Sequence, residues 1–352
     1  MLYQTENPHG GDLYGRTISL DFSANTNPLG TPPAVRQAVI DAAELLNQYP
    51  DPYCRALIAA LADFEQVPAS YILCGCGAAE LIFSFCAAVK PRRALELAPT
   101  FSEYATALEA MGSTVDRYPL EAVNDFSLTD TFLSFLVAGQ WDALFLCNPN
   151  NPTGQTISHP LLEEILNLCQ KKHMRLFVDE CFLDLTDGGR DLSLKSQLKD
   201  HPELFLLKAF TKSYGMAGLR LGYCLSADSE LLRAMGRTVQ PWNVSLPAQA
   251  AGVAALGERE FLRRTRAVIH EERAWLRERL TKLGLQVFPS QANYLLVKGR
   301  PDLCEKLLER GILVRSCANY HGLGPEYLRL AVKRHEENET LIATLQDILK
   351  EG

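Results

Sequence analysis

A chain of 352 residues, 47% hydrophobic and 22% charged, can bury one large core and a smaller second one, which excludes a solvated tail or linker. Its 42 acidic and 35 basic residues leave a net charge of −7, with no basic run long enough to form a stripe, so nucleic acid is excluded as a partner. No apolar run approaches the roughly 20 residues of a membrane span and the opening MLYQTENPHGG has no apolar signal core, so no membrane partner and a cytoplasmic location are expected.

Residues 1–34, rich in Gly, Pro and Asn, predict an ordered arm joining a small domain rather than a domain of their own. From 35 to 245 short apolar runs alternate with helical periodicity. Strands are predicted at YILCG (71–75), RALELAP (93–99), TVDRYPL (114–120), WDALFLCNP (141–149), RLFVDE (175–180), LFLLKAF (204–210) and RLGYCLS (220–226). Helical stretches such as HPLLEEILNLCQKKH lie between them, so the fold class is α/β, a mostly parallel seven-stranded sheet sandwiched by helices. Residues 246–284 read as one long or kinked amphipathic helix. It opens a smaller α+β domain, 246–352, with strands in QVFPS, ANYLLVKG, ILVRS and YLRLAV and a closing helix. The ten cysteines are scattered through apolar runs, and Cys74 and Cys76 have no second pair to complete a zinc site. They read as buried reduced thiols, and no structural metal is expected.

In an open α/β sheet ligands bind beyond the carboxyl ends of the strands, so polar residues just after apolar runs carry the information. The first such station, LCGCGAAELIF, runs from a strand through Gly77, Ala78 and Ala79 into a helix, either a tight turn or a backbone cradle for a phosphate. The second, LAPTFSEY, offers Phe101 as core packing or as a flat face for a planar ligand. CNPNNPTG, residues 147–154, can be a turn and also places the Asn151 amide as a donor. In LFVDECF, Asp179 ends an apolar strand, where a carboxylate is costly unless it faces a cation such as a protonated ring nitrogen. Lys212, in KAFTKSYGMAGLRLGY, follows the next run, where a partly desolvated lysine is suited to Schiff-base formation with an aldehyde. Phosphate cradle, stacking ring, amide donor, anion and amine are together what pyridoxal 5′-phosphate requires.

Over essentially its whole length the chain resembles the fold-type I, aspartate-aminotransferase superfamily of pyridoxal-phosphate enzymes, carried by CNPNNPTG, VDE and TKSYGMAGLRLGY. That resemblance implies a covalent link to the cofactor at Lys212, a ring-nitrogen partner in Asp179, a donor to the ring hydroxyl in Asn151 and a stacking ring in Phe101. It also implies phosphate contacts from Arg220, Gly77, Ala78 and Ala79, with Thr211 among the cofactor neighbours. Tyr49, in YPDP, resembles a tyrosine that crosses a dimer interface to the neighbour's cofactor phosphate, which implies a two-fold homodimer.

Within the superfamily HGGDLY, LDFSANTNPLG, PTFSEY and GILVRSCANYHGLGPEYLRLAV look like the threonine-phosphate decarboxylases of cobalamin synthesis, with histidinol-phosphate aminotransferases as the alternative. Those aminotransferases usually carry a tyrosine three residues after the aspartate; here that residue is Phe182, so Asn151 would serve the ring hydroxyl alone. The resemblance puts His9 and Asn27 in the substrate site. Arg315 and Arg329 are the cationic candidates for a substrate bearing phosphate and carboxylate, each within an apolar strand pattern. Two departures stand out: Ala209 replaces a serine that often contacts the phosphate, and Cys76 replaces an asparagine. A phosphoserine substrate would differ by one methyl group, and the sequence leaves that choice open. A regulator built on the same fold would need a DNA-binding domain, which the acidic charge opposes.

Overall fold

A computed structural model of the chain describes residues 9–351. Its first strand, β1 (Leu20–Asp21), is followed by β2 (Ile72–Gly75), β3 (Arg93–Ala98), β4 (Thr114–Pro119), β5 (Ala143–Cys147), β6 (Arg175–Asp179), β7 (Leu204–Ala209) and β8 (Gly222–Leu225). Strands β2 to β8 form one seven-stranded sheet in the order β2-β8-β7-β6-β5-β3-β4. Neighbours are parallel except at β8, which runs antiparallel to both β2 and β7.

The central strands are apolar throughout because both faces are covered. On one face Leu144, Leu146, Leu176, Val178, Leu204 and Leu206 pack with the helices Arg55–Glu65 and His159–Lys171. On the other, Phe145, Phe177 and Phe205 stack across adjacent strands at 4.7 and 4.9 Å, and Phe85 of the helix Gly77–Val89 meets all three rings. The helix His159–Lys171 shows how such elements are written. Ser158 caps it by accepting from the Leu161 N–H, a proline occupies its first turn, and Leu161, Leu162, Ile165, Leu166 and Cys169 form its buried stripe.

The remaining strands are β9 (Gln286–Val287), β10 (Tyr294–Lys298), β11 (Ile312–Leu313), β12 (Arg315–Ser316) and β13 (Tyr327–Ala331). They divide in a way that the run ILVRS does not announce. β12 joins a four-stranded sheet, β12-β13-β10-β9, whereas β11 pairs in parallel with β1 and so ties the N-terminal segment to this part of the molecule. Leu276, Leu280, Leu341, Leu345 and Ile348, from the helices Arg259–Lys282 and His335–Lys350, pack against it.

The single helix expected over 246–284 is two: Leu246–Leu256 and Arg259–Lys282, parted at Gly257. The first is rich in small residues and lies close on the helices Pro33–Ala43 and Arg55–Glu65; a Cβ on Gly252 would stand 2.6 Å from Leu221 Cδ2 and 2.8 Å from Leu57 Cδ1. Its Ala248, Ala251 and Ala255 belong to the core of the large sheet, so the expected division at 246 cuts through a packed layer. All ten cysteines are free thiols, eight of them buried. Among the described residues no helix is long and apolar enough to cross a membrane.

Candidate active site

Beyond the carboxyl ends of β3, β5, β6 and β7 lies a cavity of about 420 Å³ that gathers side chains from every station read in the sequence. Asp179, the last residue of β6, is 5% exposed. Its Oδ2 accepts the Tyr104 hydroxyl at 2.7 Å and its Oδ1 the Cys181 N–H at 2.9 Å. Burial pushes its pKa up against those two bonds, so a cation arriving from the cavity would find a carboxylate in need of one.

Lys212 sits in the short helix Phe210–Ser213, directly after β7. Burial, with the guanidiniums of Arg329 and Arg220 nearby, brings its pKa down to about 8. Its Nζ lies 5.5 Å from the centre of the Phe182 ring, which itself meets Tyr294 edge-on. No hydroxyl stands at that position. Thr211 and Ala209 line the same wall.

Backbone geometry builds the end of the cavity around Arg220. Arg220 adopts a left-handed φ of 56°, a conformation disfavoured for a side chain of its size, and its guanidinium lies over Gly77. A Cβ on Gly77 would stand 2.7 Å from Arg220 Nη2, and one on Gly222 would stand 2.8 Å from the Ala78 nitrogen. Only glycine permits both approaches. Ala78 and Ala79 line the cavity at the start of the helix Gly77–Val89. The Cys76 N–H, in contrast, is taken by Glu80 Oε2 at 2.6 Å, and Glu80 is held by Asn243.

Asn151 is 5% exposed, and its Oδ1 accepts from Arg329 Nη1 at 2.5 Å and from the Tyr320 hydroxyl at 3.4 Å. With the carbonyl oxygen engaged, its Nδ2 is the atom left to donate. Its neighbour Asn150 anchors the loop through Thr100, Pro99 and Tyr294.

Arg329 on β13 and Arg315 on β12 are register partners of an antiparallel pair, so their side chains leave the same face side by side. Arg329 also donates to the Ser23 carbonyl at 2.6 Å, and Arg315 to Asn319 Oδ1 at 2.8 Å. Neither forms an ion pair among the described residues, although they are 6% and 8% exposed. Two buried guanidiniums without carboxylates make a receptor for anions.

Phe101 and His9 face the cavity with ring centres 5.8 Å apart, and His9 Nε2 lies 2.9 Å from Glu103 Oε1. Asn27 is not in the cavity, contrary to the expectation from resemblance. Its Nδ2 donates to the Ser213 carbonyl at 2.7 Å and to Thr265 Oγ1 at 3.0 Å, fastening the N-terminal segment to the loop after Lys212. Asn25 lines the cavity instead: it is 1% exposed, and neither its Nδ2 nor its Oδ1 has a hydrogen-bond partner among the described residues. Sequence reasoning missed it because SANTN holds two asparagines and nothing local distinguishes them. Tyr49 is outside the cavity of its own chain, 78% exposed and stacked on Trp242 at 4.7 Å.

Comparison with known proteins gives the family. Residues 17–345 match the family described as aminotransferase class I and II. A threonine-phosphate decarboxylase of Salmonella typhimurium is 41% identical over 94% of this chain and 91% of its own length. A histidinol-phosphate aminotransferase of Desulfitobacterium hafniense is 35% identical over 94% of this chain and 91% of its own. The crystal structure of the histidinol-phosphate aminotransferase from Clostridium acetobutylicum superposes with a TM-score of 0.88 at 26% identity, covering 95% of this chain and all of the other.

Proposed function

Because this chain belongs to the class I and II aminotransferase family, in the part of it that depends on pyridoxal 5′-phosphate, we propose that it decarboxylates O-phospho-L-threonine. The products are CO2 and (R)-1-aminopropan-2-yl phosphate, for the nucleotide loop of cobalamin. The observation that carries this reading is the pairing of Arg315 with Arg329, two buried guanidiniums side by side with no ion pair of their own. A phosphorylated amino acid brings two anions to such a pair; in the aminotransferase alternative histidinol phosphate brings one and its co-substrate 2-oxoglutarate two. Phe182 and the 41% identity to a decarboxylase point the same way.

The residues present fit the cofactor: a buried carboxylate in want of a cation at Asp179, a lysine of lowered pKa, and a glycine-lined approach beside Arg220. When bound, pyridoxal phosphate supplies an aldehyde for a substrate amine and a ring that accepts the electrons left as CO2 departs. Asp179 would keep a proton on the ring nitrogen. Asn151 would donate from Nδ2 to the ring hydroxyl oxygen, without help from Phe182. Arg220, Ala78 and Ala79 would hold the phosphate, and Phe101 would cover the ring.

Arg329, in contact with Asn151, takes the substrate carboxylate, while Arg315 and His9 take the more distant phosphate and the Asn25 amide serves one of these oxygens. By fixing the carboxylate, these contacts would select loss of CO2 over removal of the α-hydrogen. Lys212, with a pKa of about 8 and so largely protonated near neutral pH, would supply from its ammonium the proton that takes the place of CO2 at the α-carbon.

The working unit in this reading is a two-fold homodimer. Ile40, Leu46, Tyr49, Tyr53 and Trp242 are each between 46% and 78% exposed, an apolar surface that a second copy would cover while lending Tyr49 to its partner's cofactor phosphate.

The deciding assay incubates the cofactor-loaded protein with O-phospho-L-threonine and follows CO2 and phosphorylated amine by mass spectrometry. Release without added keto acid, abolished in Lys212→Ala, is expected. No release, with conversion of histidinol phosphate that depends on 2-oxoglutarate, would replace this reading with the aminotransferase.

A further inference from the structure

Ser23 follows β1 and lies buried in the wall of the Lys212 cavity. The chain is clamped as it arrives there: Asp21 pairs with Leu313 of β11, and the Phe22 carbonyl accepts the Ala331 N–H at the end of β13. Asp21 Oδ1 then accepts the Ser23 N–H at 2.8 Å, the Ser23 hydroxyl at 2.6 Å and the Ala24 N–H at 3.3 Å. This turn fixes the direction of both remaining polar groups of Ser23, its carbonyl and its hydroxyl oxygen.

The two groups serve different parts of the cavity. The carbonyl accepts Arg329 Nη2 at 2.6 Å, while Nη1 of the same guanidinium donates to Asn151 Oδ1. Held through both terminal nitrogens, that planar fork keeps one orientation. The hydroxyl proton is committed to Asp21, so its oxygen accepts, and it takes the Gly11 N–H at 2.8 Å. Two residues before Gly11 stands His9, whose Nε2 lies 2.9 Å from Glu103 Oε1. Gly10, between them, is so close that a Cβ there would stand 2.2 Å from the Ser23 carbonyl oxygen. Only glycine lets this turn rest against the acceptor that Arg329 uses.

We propose that Ser23 is a positioning residue of the anion site: its carbonyl aims Arg329 and its hydroxyl holds the turn that carries His9, so the two side chains take their places together. The proposal rests on the reading that this cavity takes a phosphorylated substrate, and not on which bond of that substrate breaks. Once the turn is released, His9 leaves the cavity wall, the Ser23 peptide is free to tilt, and Arg329 loses the acceptor that aims it.

Ser23→Ala, which removes the hydroxyl and leaves the carbonyl, is the test in the pyridoxal-phosphate-loaded protein. Without substrate, hydrogen exchange read by mass spectrometry should quicken at least about tenfold at the Gly11 amide and stay unchanged across residues 141–149 of the large sheet. KM for O-phospho-L-threonine, or for histidinol phosphate if that is what the protein converts, should rise about tenfold, whereas mere loss of stability would leave less active protein at the same KM. Gly10→Ala drives a methyl group against the Ser23 carbonyl and keeps the hydroxyl. It should raise KM likewise, and it decides the matter if Ser23→Ala does not fold. Unchanged exchange at Gly11 overturns the proposal. So does quickened exchange at unchanged KM, since the turn and Arg329 would then be independent. Failure of the decarboxylase reading shows separately, as absence of CO2, and leaves both measurements standing.

Discussion

Asn25 and Asn27 stand two residues apart and do opposite work. The Asn27 amide is spent on Ser213 and Thr265, so Asn27→Ala should lower stability by about 1–3 kcal/mol in a denaturant melt. The Asn25 amide has no hydrogen-bond partner among the described residues; Asn25→Ala should leave the melt unchanged and raise KM for the phosphorylated substrate about tenfold. Equal destabilisation by both substitutions would show that Asn25 is structural too. Lys212 carries a pH signature that can be read without turnover. In the cofactor-free protein its pKa of about 8 lies below the ordinary 10.5, so between those values the unfolded chain binds more protons and stability rises with pH. Lys212→Met should therefore be the more stable apoprotein at pH 7, by up to about 3 kcal/mol, and should lose that rise. Urea melts at pH 7 and pH 10 measure it, and parallel wild-type and variant curves would mean that the lysine is not depressed.

At the scale of elements, the phosphate end of the cavity depends on how closely β8 and the start of the helix Gly77–Val89 approach each other. Gly222→Ala would drive a methyl group to 2.8 Å from the Ala78 nitrogen, backbone against backbone, which no rotamer change relieves. Cofactor retention, followed by its absorbance during dialysis, should fall by at least about tenfold; unchanged retention would detach this loop from the phosphate. The central strands β5, β6 and β7 were legible as apolar runs because buried parallel strands leave no polar alternation to misread. Two features were not. The break at Gly257 lies inside a stretch whose helical propensity is nearly continuous, and the residues before it pack elsewhere from those after it. The run ILVRS reads as one strand, yet β11 and β12 separate because their partners, β1 and β13, come from opposite ends of the chain.

For the whole molecule, the exposed set around Tyr49 and Trp242 is the feature that a single chain does not explain. Trp242→Glu should convert a dimer into monomers in analytical ultracentrifugation, with loss of cofactor affinity. Tyr49→Phe should loosen the cofactor and leave the dimer and the melt intact. A wild-type protein that sediments as a monomer with full cofactor retention would remove the second copy from the site.

Lys212, Asp179, Asn151 and Phe101 could be singled out from sequence because each stands at the end of an apolar strand or shortly after it, whereas Arg220, just before β8, entered only through resemblance. The sequence alone also determined that these groups would converge, since parallel strands bring their carboxyl ends to one edge. The tertiary structure decided the rest. It separated Asn25 from Asn27, set Arg315 beside Arg329 across two strands, and occupied the Asn151 carbonyl so that its amide must donate. Each of these depends on residues far apart in the chain meeting at hydrogen-bond distance, and no pattern of neighbours in sequence encodes that distance.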